Sequence, residues 1–301
     1  MNDFNLQRRL MLKGMAALTS GAILKPSMSS AAVEDEIDWE SIRASYPEQT
    51  PFLNFDNGCI SPPTFGVEKR AVDAYKFANL NPCYNMFDVL DKAVPEIKAK
   101  LAKLADCDPG EVSLNRCTTV GMCTAIMGMP LAEGDEVLLS NWDYPSMINA
   151  WKQRAARDGI VIKPVSFGLM DSDEAIVEAY TRAITPRTKA IQLTHVIHWT
   201  GRAIPIAEIC KFANEREILT VVDAAQSFAH IPLSFREIGC DYFATSFHKW
   251  LCAPIGTGML IVKADRIDET WPLFPVFEEL DGVDKFGMSN LGTYNNAAHL
   301  A

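Results

Sequence analysis

The sequence has eight cysteines but no C-x-x-C pair and no Cys/His cluster at zinc-ligand spacing, which excludes the common structural metal sites. Scattered at Cys59, Cys83, Cys107, Cys117, Cys123, Cys210, Cys240 and Cys252 in a chain long enough to build its own core, they read as packing residues, with pairing left open should the protein be exported. Basic charge is also scarce. Lys and Arg number 28 against 38 Asp and Glu, for a net charge of −10, and no face of clustered Lys and Arg is present to neutralise phosphates, so nucleic acid is excluded as a partner. The apolar run nearest the N-terminus, Gly14 to Leu24, falls short of the about 20 residues that cross ~30 Å of hydrocarbon, which argues against a permanent membrane anchor. After Ala32 there is no internal repeat and no low-complexity linker.

What is there is an ordinary globular composition. With 301 residues and 48% hydrophobic side chains the chain can bury a sizeable core, and a small molecule is the default substrate class. Residues 1–32 differ from the rest: Arg8, Arg9 and Lys13 precede the apolar stretch, and small residues end in Ser30-Ala31-Ala32, the architecture of a signal peptide. Gln7-Arg8-Arg9-Leu10-Met11-Leu12-Lys13 resembles the twin-arginine export signal, with Gln7 and Met11 departing from the usual residues. That resemblance implies the twin-arginine export machinery as a partner and a periplasmic location for a protein exported already folded.

From residue 33 to 301, helix-period and strand-like segments alternate. Apolar spacing predicts helices over Phe65–Leu80, Asp88–Ala105, Val120–Met129, Pro145–Arg157, Asp173–Ile184 and Ile206–Glu217. Short apolar runs bounded by turn residues predict strands over Glu136–Ser140, Ile160–Val165, Ala190–Thr194, Leu219–Asp223, Tyr242–Ser246 and Gly258–Val262. Such alternation implies an α/β fold, a mostly parallel sheet with helices on both faces, and ligands at the carboxyl ends of its strands.

Polar residues close several of these strands. Leu219-Thr220-Val221-Val222 ends in Asp223, followed by Ala224-Ala225-Gln226; by itself this is a helix cap or a ligand contact. Tyr242-Phe243-Ala244-Thr245 runs into Ser246-Phe247-His248-Lys249, with the turn Pro254-Ile255-Gly256-Thr257-Gly258 behind it. Upstream, Cys117-Thr118-Thr119-Val120 offers hydroxyls and amides at a helix N-terminus, a group that is either a plain cap or an anion site.

Asp223, Gln226 and Lys249, with Ser246 and His248 beside the lysine, resemble the cofactor signature of the class V aminotransferase family, whose cofactor is pyridoxal 5'-phosphate (PLP). The resemblance runs from about Phe52 to Ala301, is strongest from Thr194 to Gly258, and implies a PLP-dependent transferase fold of type I. It implies that Lys249 forms the Schiff base and moves the substrate α-proton, that Asp223 keeps the pyridine nitrogen protonated, and that Gln226 donates to the phenolic oxygen. Thr118, Thr119 and the Val120 amide would grip the phosphate with His248 near it. Tyr144, with Trp142 in reserve, would cover the ring face, and His198, standing where many members have Asn, would approach the phenolic oxygen. The segment Asn54-Phe55-Asp56-Asn57-Gly58 resembles the substrate entrance. Thr293 resembles a threonine that reaches the neighbouring subunit's phosphate, which implies a homodimer with shared sites.

The organisation expected is therefore a signal peptide over 1–32 and a PLP-binding large domain with its N-terminal segment over 33–301, the small C-terminal domain of these enzymes being absent or truncated and no residue being assignable as its carboxylate-binding arginine. The pattern, including Asp143-Tyr144, lies nearer the isopenicillin N epimerase-like branch than the cysteine desulfurases. It implies an exported enzyme acting on the amino group of an amino acid or peptide-borne amine by aminotransfer or epimerisation. The rivals are a carbon–sulfur lyase or desulfurase-like enzyme and an inactive truncated homologue serving as a binding subunit.

Overall fold

The structure, a computed structural model, describes residues 37–48, 52–276, 282–288 and 299. The signal peptide and Thr293 lie outside the described residues. Helix α1 (Trp39–Ala44) and helix α2 (Phe65–Leu80) precede a tightly coiled stretch, a π turn over Tyr84–Leu90 and a 3-10 turn over Asp91–Ala93, which leads into α3 (Val94–Ala105). Then come β1 (Val112–Asn115), α4 (Thr118–Gly128), β2 (Glu136–Ser140), α5 (Pro145–Asp158), β3 (Val161–Val165), α6 (Asp173–Ala183), β4 (Thr188–Thr194), α7 (Ile206–Asn214), β5 (Leu219–Asp223), α8 (Phe235–Ile238), β6 (Tyr242–Ser246) and β7 (Gly258–Val262).

The single helix expected over Asp88–Ala105 is therefore broken. Pro95 lacks an amide and its ring crowds the preceding turn, so the regular α-helix restarts with the proline in its first turn, where the missing donor costs nothing. Strand β1 went unpredicted because its four residues carry little periodicity and pair with β7, far away in sequence.

The seven strands lie in the order β1-β7-β6-β5-β4-β2-β3. Only β7 runs against the others, antiparallel to both β1 and β6. Alternate residues feed two cores, one on each face. Leu138, Ile191, Val222, Phe243 and Ile261 pack with Leu101 of α3, Tyr180 of α6, Ile209 of α7 and Phe235 of α8. Val137, Ala190, Val221, Tyr242 and Leu260 pack with Met122 of α4 and with Met147 and Trp151 of α5. Both strand faces are covered, which is why the strands read as continuous apolar runs. Among the described residues no helix is long and apolar enough to cross a membrane.

Register brings the polar strand ends into one row. Thr194 pairs with Asp223, Asp223 with Ala244, Ser246 with Gly258, and Gly258 with Asn115. The carboxyl ends of β1, β6, β5 and β4 thus meet at one edge of the sheet, where βα loops can converge on a ligand.

Candidate functional site

The phosphate-type grip sits where α4 begins. Its first amides have no intrahelical acceptor, and no side chain caps the helix at Cys117. Ser246 Oγ accepts from the Thr118 amide at 2.8 Å and lies 2.8 Å from Thr118 Oγ1, joining residues 128 positions apart. This closeness depends on Gly121: a Cβ there would stand 2.9 Å from the Ala244 Cβ and 2.8 Å from Asn115 Nδ2, so only glycine lets α4 press against β6. Thr118 is buried and Thr119 exposed, with Val120 half-buried between solvent and core. With the Thr118 amide taken by Ser246, a helix N-terminus that still carries its dipole and two threonine hydroxyls suits a dianion.

Asp223 is buried at the end of β5, its Oδ1 accepting from the Ala225 amide at 3.0 Å. Burial pushes its carboxyl up from the ordinary range; that amide and the Lys249 ammonium pull it back. The same ammonium, after desolvation, depresses both His198 and His248. Lys249 therefore lies within electrostatic reach of Asp223, His198 and His248. The Nδ1 atoms of His198 and His248 are buried without a partner, as is that of His195, whose ring burial holds down at about 4, so it stays neutral near pH 7. Two unsatisfied imidazole nitrogens beside a lysine are what a polar ligand would complete.

Around this centre the aromatic residues divide. Trp142 is committed elsewhere, its indole nitrogen donating to the Phe167 carbonyl at 2.9 Å and its ring packed on the core. Tyr144 stays exposed, its ring edge-on to His198 at 4.9 Å between centroids. Gln226 is held at both ends: its Nε2 donates to Gly58 O at 2.9 Å and its Oε1 accepts from Trp250 Nε1 at 2.7 Å. Ser61 N donates to His248 O at 2.8 Å, so the segment resembling a substrate entrance is fastened to the lysine loop.

Sequence reasoning assigned no role to Asp143, which lies 3% exposed under the site. Its Oδ1 accepts from Thr194 Oγ1 at 2.7 Å and its Oδ2 from the Ser140 amide at 2.7 Å, tying the ends of β4 and β2 together. Burial, with a smaller push from the Asp223 charge, raises its carboxyl to about 6 from 3.8. A raised carboxyl in the folded state makes stability fall as pH climbs from about 4 to about 6. Asp143→Asn should remove that slope: relative to wild type, its thermal midpoint should rise between pH 4 and pH 7, by the equivalent of on the order of 3 kcal/mol at most. Parallel melting curves of the two proteins across that range would contradict the assignment.

No group of His, Cys, Asp and Glu among the described residues is arranged to hold a metal ion. The donors present fit a phosphorylated pyridine aldehyde: an amine for the aldehyde, a buried carboxylate for a ring N–H, an amide donor, orphan imidazole nitrogens, and a helix N-terminus for the phosphate.

Comparison with known proteins supports the same chemistry. Residues 67–284 match the aminotransferase class-V family. Isopenicillin N epimerase of Streptomyces clavuligerus is 31% identical over 240 residues, covering 78% of this chain and 59% of that protein. A probable cysteine desulfurase of Xylella fastidiosa (strain Temecula1) is 29% identical over 251 residues, covering 79% of this chain and 60% of the relative. The chain thus spans about three-fifths of the length of these relatives. Among solved structures, a C-DES variant with glycine covalently linked to its PLP cofactor superposes with a TM-score of 0.76 at 22% identity, covering 85% of this chain and 71% of that one. The cysteine desulfurase CsdA of Escherichia coli superposes with a TM-score of 0.75 at 20% identity, over 88% and 70%. A type I PLP-transferase fold, the converging donors and a match across most of the chain place this protein in the aminotransferase class-V family of PLP-dependent enzymes.

Proposed function

We propose that this protein acts on the amino group of an amino acid or peptide-borne amine, by aminotransfer or epimerisation. The observation that carries the reading is the juxtaposition of Lys249 with the buried Asp223 carboxylate at the row of strand ends that also holds the α4 N-terminus. PLP, when bound, supplies an electron sink for the bond that breaks at the substrate α-carbon. The Lys249 amine holds the cofactor and carries the α-proton. Asp223 keeps a proton on the pyridine nitrogen, and its burial makes that ion pair strong. Thr118, Thr119, the Val120 amide and His248 bind the phosphate, with Ser246 fixing Thr118 in place. Tyr144 covers the ring face, while His198 and Gln226 donate to the phenolic oxygen. His198 is neutral near pH 7, since both burial and the lysine charge lower its pKa, so it has one N–H to give.

Product analysis decides the reaction. The PLP-loaded chain, incubated with L-amino acids and short peptides, is expected to yield inverted α-carbons, or keto acids in stoichiometric exchange with an amino acceptor. Release of sulfide or persulfide from cysteine or cystine without either product would establish the second reading, a carbon–sulfur lyase, which the desulfurase relatives favour. The closer sequence match to an epimerase puts inversion first.

The protein acts as a homodimer in this proposal. Of its 16 residues α2 buries only Ala78 and shows Phe65, Tyr75 and Leu80 to solvent, and Phe52, Leu53 and Phe55 are exposed as well. An apolar surface of this kind marks a protein contact, and a second copy covers it. Export by the twin-arginine route rests on Arg8, Arg9 and the apolar stretch that follows. Lys at both positions should stop periplasmic delivery, measured by fractionation; unchanged delivery contradicts that route.

A further inference from the structure

We propose that Trp250 is a positioning residue: its indole N–H sets the Gln226 amide in one orientation, so that Gln226 serves the site only as a donor and locks the entrance segment to the lysine loop. The donor role rests on the reading that Lys249 carries PLP; the lock on the entrance segment does not.

The argument starts from donor and acceptor identity. An indole nitrogen can only donate and a peptide carbonyl can only accept. Trp250 Nε1 lies 2.7 Å from Gln226 Oε1, and Gly58 O lies 2.9 Å from Gln226 Nε2. Turning the amide over would set N–H against N–H at one end and oxygen against oxygen at the other, losing both bonds at once. With one Nε2 hydrogen given to Gly58, the second is a donor aimed by the other two contacts, and the phenolic oxygen of the cofactor is an acceptor it can serve.

Trp250 is itself held. The His230 ring lies parallel to it, 3.6 Å between centroids and 4° between planes, and His230 Nδ1 is 2.9 Å from the main-chain carbonyl oxygen of Gln226. Gln226, His230 and Trp250 therefore close a small circuit, in which moving the indole moves the amide. Gly58 completes it, because a Cβ there would stand 3.2 Å from Gln226 Oε1 and 3.4 Å from Trp250 Cζ2. A side chain there would therefore press on the amide, which would have to give by a few tenths of an ångström. Through Gly58 O, and through Ser61 N on His248 O, that segment is joined to the lysine loop on both sides of Lys249.

Trp250→Phe tests this, since phenylalanine keeps a flat ring against His230 and removes only the N–H. Two readouts apply to the full chain. Without PLP, hydrogen exchange at the Ser61 amide should quicken by at least about threefold, as the Gln226 amide that ties the segment at Gly58 is no longer held in place by the indole. With PLP bound, the pH midpoint of the cofactor's visible absorbance should rise by about half a pH unit or more, because a donor to the phenolic oxygen favours its ionised form and losing it has the opposite effect. A role in packing alone would not move that midpoint. Gly58→Ala, which displaces the amide from the other side while leaving the indole intact, should shift both readouts in the same directions. Unchanged Ser61 exchange in both variants overturns the proposal whether or not PLP binds, as does an unchanged midpoint in both variants of a chain that binds PLP. A wild-type chain that stays colourless with PLP while Trp250→Phe quickens Ser61 exchange refutes the role given to Lys249 and upholds the positioning role of Trp250.

Discussion

Lys249→Ala should give a folded, colourless protein. With the amine gone no covalent bond to the aldehyde forms, so the visible absorbance of the PLP-loaded chain disappears and borohydride fixes no label. Turnover should fall at least about a thousandfold, because the same side chain is anchor and proton carrier and both roles are lost together. Stability should change little. Lys249 is half-buried in a loop beyond β6 and belongs to neither core. The variant should melt within a few degrees of the wild type without PLP, which separates loss of chemistry from loss of fold. A Lys249→Ala protein that remained yellow after dialysis and still processed amines would show that another lysine holds the cofactor.

Asp223→Asn should be the second most damaging change. The carboxylate is buried at the end of β5, and its partner in the proposed mechanism is a proton on the pyridine nitrogen. An amide is nearly the same shape but carries no charge to hold that proton, so the ring is a poorer electron sink. Turnover should drop on the order of 10²–10³-fold, the scale of removing one preorganised electrostatic contact, while PLP still binds through lysine and phosphate. The absorbance of the bound cofactor should persist, so spectrum and activity dissociate in this variant where they vanish together in Lys249→Ala. Without PLP, Asp223→Asn should be at least as stable as wild type near pH 7, since burial already disfavours the charged form. Retention of most of the activity would remove Asp223 from the mechanism.

Much of this arrangement was legible in the residues. The strands at Glu136–Ser140, Leu219–Asp223, Tyr242–Ser246 and Gly258–Val262 fall where apolar runs between turn residues placed them, because a strand buried on both faces writes its limits as changes of polarity. The ends of those runs supplied Asp223 and Ser246. Helix limits were looser: Ile206–Glu217 shortens to Ile206–Asn214, as the Asn214-Glu215-Arg216-Glu217 stretch turns before β5. What could not be read were contacts between distant segments. Gln226 and Gly58 stand 168 positions apart and Asp143 and Thr194 51, and neither pairing leaves a local pattern. Trp250, adjacent to the lysine, carries no sequence signal of its role; the contact of its indole nitrogen with Gln226 reveals it. Asp143 was noticed only as part of a family-like dipeptide; its burial, the property that matters, is set by the packing of β2 against β4.

The most direct test of the account is to load the full chain with PLP, reduce it with borohydride, digest it and map the modified peptide. The account predicts a single pyridoxyl group on Lys249, in the peptide that follows β6. A label on a different lysine, or none at all, would contradict it.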